Sequence, residues 1–489
     1  MTSAAKKITL PQFTLTELAE GPGENTTRVD IPDADGRVFT YYTVPMVDST
    51  TGHRRDARPR WVAGTFPLYP EVLNADGSPW VEANLWVIDM LEAKSAPNMY
   101  TFANIAADLA AYRRFLDEEN IDWLQFPSHK LRRPTYRYNG FLKLSVQAGE
   151  LSSGLAKRQM GTVIRFYRWL MSEASFKPAY APWVSSDRYI EWKDGMGFSG
   201  VVVVQTTDVS IKDTPLIDPF SERIQDGGLL RPLPQAEQNV LLQVLAELGN
   251  TEMSLIHLFA LLTGARIQTV LTTRVGHFVE PPHSIVGGDF RLKAGPGTGI
   301  DTKGGAKGIL HLPTWFYERL YIYAHSERAR KRRQRAIGGD QPDQLLFLSK
   351  QGAALYDTRL QRAPVGIGPQ VRRHAKNGQP VRQFIKDYLL PEMRRRLGNP
   401  RYEFSFHDLR ATFGMNQVDA MTSRKIPYTR ALDQLRQLMW HSRLSVTENY
   451  LKYRETLALF DNVQDEWNDH LTSLAKRVFS EEAGHDPQD

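Results

Sequence analysis

From Pro79 to Ala174 apolar positions recur every three or four residues, in VEANLWVIDMLEA, TFANIAADLAAYRRFLDEE and SGLAKRQMGTVIRFYRWLMSEA. That spacing lays one apolar stripe along each helix, and the three stripes together predict a small helical bundle. Lys130, Arg132, Arg133, Arg137, Lys157, Arg158, Arg165 and Arg168 give the bundle a basic face. Ahead of it, residues 1–75 are polar and rich in turn formers, with one strand-like run over Val38–Val44. A basic tract, Arg54, Arg55, Arg58 and Arg60, fits either a backbone contact to nucleic acid or an ordinary charged loop. The pattern therefore divides the first part of the chain into an N-terminal extension, 1–75, and a helical domain, 76–205.

Residues 206–232 read as a linker. RPLPQAEQNVLLQVLAEL then opens an amphipathic helix with Pro234 near its first turn, and a second domain is expected over 233–480. It continues with a buried helix, MSLIHLFALLTG, stopped at Gly264, and another, ARIQTVLTTR, opened by Arg266. Alternating apolar residues on either side of a Gly cluster in GGDFRLKAGPGTGIDTKGGAKGILHLP predict β-hairpins, with Lys303 near a turn. WFYERLYIYAH is expected to run on as one helix into ERARKRRQR, and FIKDYLLPEMRRRLG to form a helix with a basic end. Phe460, Val463, Trp467, Leu471, Leu474 and Val478 recur at helical spacing, and that helix packs either on its own domain or on a neighbouring subunit. Residues 481–489 form an acidic tail expected to be disordered. The fold class is mainly α with a small antiparallel β-sheet.

Charge sharpens this picture. The 489 residues carry a formal charge of +6, but Glu327–Asn399 alone holds 17 Lys and Arg against six Asp and Glu, an excess of +11. The remainder of the chain is thus near −5. A local excess of this kind is the electrostatic footprint of nucleic-acid binding, or of a solvated basic insertion. With no Cys, disulfides and Cys-ligated metals are excluded. No apolar stretch suits a signal peptide or a membrane span, so a cytoplasmic protein without membrane contact is expected.

The chemistry gathers near the C-terminal end. FSFHDLRATFGMNQVDA places His407 and Arg410 three residues apart, on one face of a helix. Ser405 with Asp408, and Ser445 with Glu448, fit the capping pattern that starts a helix. QLMWHSRLSVTENYLKY brings in His441 and, nine residues on, Tyr450. Two basic groups, a second imidazole and a phenol on short capped helices make a phosphate site. Taken alone, each motif has a bland reading as a cap, a surface residue or core.

The ordered set is what is distinctive: Thr-Gly-Ala-Arg266, Thr-Lys303-Gly-Gly, His407-Asp-Leu-Arg410, His441-Ser and Tyr450. It resembles the tyrosine recombinases, the phage integrase family, over about 233–455, and the helical unit before it looks like that family's core-binding domain. The resemblance implies a two-domain DNA clamp. It places the catalytic groups at Arg266, Lys303, His407, Arg410, His441 and Tyr450, with no cofactor and no metal. It implies a DNA strand transferase that forms a 3′-phosphotyrosyl link, integrating or excising a mobile element as a tetramer on paired duplex sites. A topoisomerase or telomere resolvase with the same tyrosine chemistry, and a non-cleaving DNA-binding protein, are the alternatives. Arg132, Arg133, Lys157, Arg158, Arg165, Arg330, Lys331 and Arg332 are expected to contact DNA. The chain departs from the family at Trp440, where a Gly is usual, and in the long span from Lys303 to His407. Lys307 and Tyr453 stand close enough to Lys303 and Tyr450 to compete for their roles.

Overall fold

Four large aromatic side chains, Trp80, Trp86, Trp123 and Phe166, pack ring against ring at the centre of the N-terminal part of the chain. The computed structural model describes residues 4–23, 26–32, 35–45, 65–94, 97–193, 199–212, 223–285, 287–358 and 376–456. The chain divides into two units, one of residues 1–218 with 359–375 and one of 219–358 with 376–489. Among the described residues the fold is mainly helical, with five separate antiparallel sheets of two or three strands. No described helix is long and apolar enough to cross a membrane.

In the first unit, strands β1 (Lys6–Thr14), β2 (Thr16–Ala19), β3 (Thr27–Pro32), β4 (Val38–Pro45) and β5 (Thr65–Leu73) precede four helices. The strand-like run from Val38 becomes the centre of a β2-β4-β3 sheet. β1 pairs with β5 along its whole length, and Phe66, Tyr69 and Val72 of β5 enter the helical core. The buried Asn84 side chain accepts from Val72 N at 2.8 Å and donates to Val72 O at 3.0 Å, completing the edge of β5 from a helix. The boundary expected at residue 75 thus falls inside this unit: its first strands help close its core.

The helices Val81–Glu92, Met99–Glu118 and Ser153–Ser172 lie where the apolar spacing put them, and Pro134–Gln147 adds a fourth. The buried Tyr112 and Tyr167 hydroxyls share a hydrogen bond of 2.8 Å, and Tyr167 Oη donates to Trp123 O at 2.7 Å. Strands β6 (Ser185–Lys193) and β7 (Ser199–Thr207) then form a ribbon. The linker expected over 206–232 is divided. Val209 is buried in the first core, whereas 224–230 form a hairpin in the second unit.

The second unit has two apolar clusters. The larger gathers the helices Gln235–Glu247, Thr251–Thr263 and Thr314–His325 around the hairpin of β10 (Asp289–Ala294) and β11 (Gly308–Pro313). The smaller joins Ile224 of β8 (Ile224–Gln225) and Leu230 of β9 (Leu229–Leu230) to Phe413, Val418, Leu435, Met439 and Tyr450. The helix Asp408–Ser423 serves both clusters, with Leu409 in the first and Phe413 in the second. Gly264 ends its helix at φ 68°, and a β-carbon there would meet Phe413 Cδ1 at 2.6 Å, so both backbone conformation and packing require glycine.

The basic segment departs from expectation at Ser326. This residue breaks the long helix and caps Glu327–Arg335 by accepting from Ala329 N at 3.2 Å. The helix from Gln379 to Leu397 contains a π segment over Ile385–Leu389, ending two residues before Pro391, which has no amide proton to give. The Arg54 tract, the apolar repeat from Phe460 and the tail 481–489 lie outside the described residues.

Glu252 anchors the basic helix. It is buried and accepts from Arg328 Nε at 2.7 Å, from Tyr323 Oη at 3.2 Å and pairs with Arg332 at 2.9 Å. Burial pushes its carboxyl upward, but the Arg328 hydrogen bond and the Arg332 charge outweigh that, and its pKa lies below the ordinary value. A depressed carboxylate stabilises the fold above its unfolded pKa of about 4.3, an advantage lost as pH falls through the folded value. Glu252→Gln should therefore cost about 3 kcal/mol in urea unfolding at pH 7, because Arg332 is left buried and uncompensated. The gap between wild type and variant should narrow in the same measurement carried below about pH 4.

Candidate active site

Arg410 lies in the first turn of the helix Asp408–Ser423, and the start of that helix is held from three directions. Asp408 accepts from Ser405 N at 2.7 Å and Ser405 Oγ at 3.0 Å, the carboxylate half of the expected capping arrangement. Its other oxygen accepts from Arg231 N at 2.9 Å, and Thr412 Oγ1 accepts from Leu233 N at 2.9 Å. These contacts fix the strand that leaves the β8–β9 hairpin along the helix. His407 stands at the helix cap, half-buried.

The Arg410 guanidinium is buried, and each of its three nitrogens donates a hydrogen bond. Nε donates to Asp226 Oδ2 at 2.8 Å, Nη1 to Gly264 O at 2.7 Å and Nη2 to Met439 O at 2.6 Å. The two carbonyls belong to the ends of the helices Thr251–Thr263 and Tyr428–Met439, where backbone acceptors lack helical partners. Arg266 follows Gly264 by two residues, and its Nη2 lies 3.6 Å from Asp226 Oδ1. Its Nε is buried without a hydrogen-bond partner among the described residues. Burial, then the like charge of Arg410, lowers the Arg266 pKa to about 10, against the pull of Asp226.

Tyr450 is carried on a helix over residues 444–456 and is fully buried. Its hydroxyl donates to Asp226 Oδ2 at 3.0 Å. Burial first, then the Asp226 charge, pushes the phenol well above its ordinary pKa, while Arg410 and Arg266 oppose the shift. The ring fits because residue 414 is glycine: a β-carbon there would stand 2.4 Å from Tyr450 Cε1. Gly414 is one turn beyond Arg410 on the same face, so a single helix supplies both a guanidinium and the hollow for the phenol.

His441 stacks on Tyr450 with ring centroids 5.8 Å apart. Its Nδ1 meets Thr447 Oγ1 at 3.0 Å and its Nε2 meets Asp226 Oδ2 at 3.2 Å. Trp440 before it holds φ 54°, the left-handed conformation a glycine adopts without penalty. The indole lies on β11, donating to Ile309 O at 3.2 Å, where a β-carbon on Gly308 would sit 2.1 Å from Trp440 Cε2. The departure from Gly at 440 is thus matched by a Gly at 308.

Burial also lowers the His407 pKa, with the charges of Arg410 and Arg266 adding to the effect and Asp226 opposing it. Lys303 is exposed on the connection between β10 and β11, and its Nζ lies 3.2 Å from where a β-carbon on Gly227 would be. The structure therefore brings all six expected residues to one place, around Asp226. Burial pushes the Asp226 carboxyl upward, yet His441 and Arg410 more than offset this and hold it far below the ordinary range.

Sequence reasoning missed Asp226, because it fell in a segment read as linker. The signal was there: Asp-Gly between Ile224 and the pair Leu229–Leu230 is a hairpin pattern.

The residues expected to contact DNA divide. Arg132, Lys157 and Arg165 are exposed, as are Arg330 and Lys331. Two expectations are corrected. Arg133 is buried, donating to the carbonyls of Pro127, Ser128 and Ala181. Arg332 is buried between Glu252 and Leu348 O, whereas Arg158 is held by both oxygens of the buried Asp108 and stays exposed. Arg133 and Arg332 are bound by internal acceptors and are not free for a phosphate backbone. Among the described residues no group of three or more His, Cys, Asp or Glu could hold a metal ion.

Compared by sequence with known protein families and with curated proteins, the chain matches none. Among solved structures it is similar to two of the Tn1549 transposon integrase. One is in complex with circular intermediate DNA, 13% identical with a TM-score of 0.40, covering 75% of this chain and 94% of the other. The second, a tyrosine-to-phenylalanine variant with transposon right end DNA, has the same identity of 13% and TM-score of 0.40, covering 76% and 94%.

Gly414→Val is expected to lower the stability of the protein by about 2 kcal/mol, because the Tyr450 ring has no room to yield. In urea unfolding, Tyr450→Ala should cost less in the Gly414→Val background than in the native chain; strictly additive losses would place the ring elsewhere.

Proposed function

We propose that this protein is a site-specific DNA recombinase that cleaves and rejoins duplex DNA through a 3′-phosphotyrosyl intermediate. The observation that carries the reading is the convergence of Arg266, Arg410, His441 and the Tyr450 hydroxyl on one anion, the Asp226 carboxylate, with Lys303 and His407 beside it. A group that attracts all these donors has one negative charge and two accessible oxygens. A phosphodiester presents the same features.

With the scissile phosphate in that position, Tyr450 Oη attacks phosphorus. The phenol is a poor nucleophile at neutral pH while protonated, and its proton must leave as the new O–P bond forms. His407 is kept neutral by burial and its arginine neighbours, so it is fitted to accept that proton. Arg266 and Arg410 stabilise the added charge on the non-bridging oxygens, with Arg410 held in place by two carbonyls before any substrate arrives. The bond to the 5′-oxygen breaks, and Lys303 gives that oxygen a proton. The products are a 3′-phosphotyrosyl link and a free 5′-hydroxyl. A 5′-hydroxyl from another strand attacks the link, giving its proton to Lys303, while His407 returns a proton to Tyr450 Oη as the O–P bond to tyrosine breaks, and the backbone is resealed without nucleotide hydrolysis. A tetramer on two paired sites is the assembly in which such exchange yields recombinant DNA.

A duplex nicked near the target site tests the chemistry. The native protein should accumulate a covalent adduct, Tyr450→Phe none, and Arg266→Ala or Arg410→Ala at least about a hundredfold less per unit time, as for loss of one transition-state donor. An adduct that survives in Tyr450→Phe would move the nucleophile to another residue. Supercoil relaxation without recombinant product would redirect the reading to a topoisomerase.

Lys303→Ala should be slow on an ordinary strand and restored by a 5′-thiol leaving group, which departs without a proton. Equal loss on both substrates would remove Lys303 as the acid.

A further inference from the structure

The proposed reaction has no part for a carboxylate, yet a buried one sits at the centre of the site. Asp226 Oδ2 accepts from Arg410, His441 and Tyr450, and Oδ1 faces Arg266. His407 bonds to the Asp226 backbone, and the next residue, Gly227, has Lys303 Nζ 3.2 Å from where its β-carbon would stand. One three-residue turn thus meets all six groups assigned to the reaction.

We propose that Asp226 is an internal stand-in for the substrate phosphate: the β8–β9 hairpin closes the site of the free protein, and DNA must displace it before Tyr450 can attack. This rests on the functional reading given above and adds a regulatory step to it. The donors that would bind a phosphodiester are the ones the carboxylate occupies, and two anions cannot share them.

Two other roles fit less well. As a base for the phenol, the carboxylate is too weak, since its neighbours stabilise its charged form. As a permanent counter-ion, it would keep a negative charge against the arriving phosphate and cancel the field the two guanidiniums provide.

The hairpin is built so that its corner can leave while its base stays. Each strand has only two residues, and the turn is closed by Asp226 N donating to Gly228 O at 3.0 Å, with Gly227 at φ 70°. Below the turn, Ile224 and Leu230 are buried, and Asn449 Nδ2 donates to Gln225 O at 3.1 Å. The chain beyond is pinned by Arg231 N to Asp408 and Leu233 N to Thr412. Only the tip is held chiefly by the site itself.

The test uses the full-length chain and its Asp226→Asn variant, which keeps the shape of the side chain and removes the charge. Calorimetric titration with inorganic phosphate should show binding about tenfold tighter in the folded variant, as expected for removing a like charge at close range. Adduct formation on the nicked duplex should also be about tenfold faster. Unchanged or weaker phosphate binding, or a slower adduct, would make Asp226 a fixed positioning residue and overturn the proposal. Should the variant fail to fold, amide exchange of the native protein decides: residues 224–230 should exchange faster when phosphate is added. Unchanged or slower exchange there would overturn the proposal equally. Phosphate binding and exchange do not need strand cleavage. A native protein that forms no Tyr450-dependent adduct would therefore remove the recombinase reading and leave these two readouts to judge the hairpin.

Discussion

A buried guanidinium must have each of its nitrogens answered, and in this protein that requirement ties the second unit together at Arg410. Its partners come from three places far apart in sequence: Asp226, Gly264 and Met439. Two of them are carbonyls that the ends of helices leave open, so the arginine satisfies the helices as much as they satisfy it. The consequence is a charged group whose position is fixed by backbone rather than by flexible side chains. A charge held in this way needs no rearrangement when an anion arrives, which is the condition under which electrostatic stabilisation is most effective.

The other residues of the site are delivered by equally local means. Gly264 lets the chain turn sharply so that Arg266 emerges beside Arg410. Gly414 leaves a hollow that the Tyr450 ring of the 444–456 helix fills together with Met439 Sδ. His441 is oriented by Thr447 from its far side, which leaves Nε2 for the anion. Each placement depends on a backbone end, a missing side chain or a single hydroxyl, and the apolar clusters provide the rigid frame in which those details hold.

Much of this was legible in the chain itself, and the limits were physical. Periodicity located the helices from Val81, Met99, Ser153, Gln235 and Thr251, because burial of one face imposes the spacing. The spacing of His407 and Arg410, and the nine residues from His441 to Tyr450, named groups that the fold brings together. What stayed hidden was the partner choice of charged residues. Arg133 and Arg332 look like surface cations in the sequence, and only the fold reveals the carbonyls and the Glu252 carboxylate that bury them. Asp226 stayed hidden for a related reason: a two-residue strand is too short to show alternation, and its role lies in contacts made some 180 to 220 positions away. The strands before residue 75 were missed as part of the core because β1 pairs with β5 across a long separation that no local pattern records.

The indole of Trp440 resting where Gly308 has no side chain joins the backbone just before His441 to the strand that follows Lys303. The two positions form a lock whose halves have meaning only as a pair. A larger residue at 308 would evict the ring, and a glycine at 440 would leave an empty berth on the strand. The ribbon that carries Lys303 and the turn that carries His441 are therefore braced against each other through one side chain.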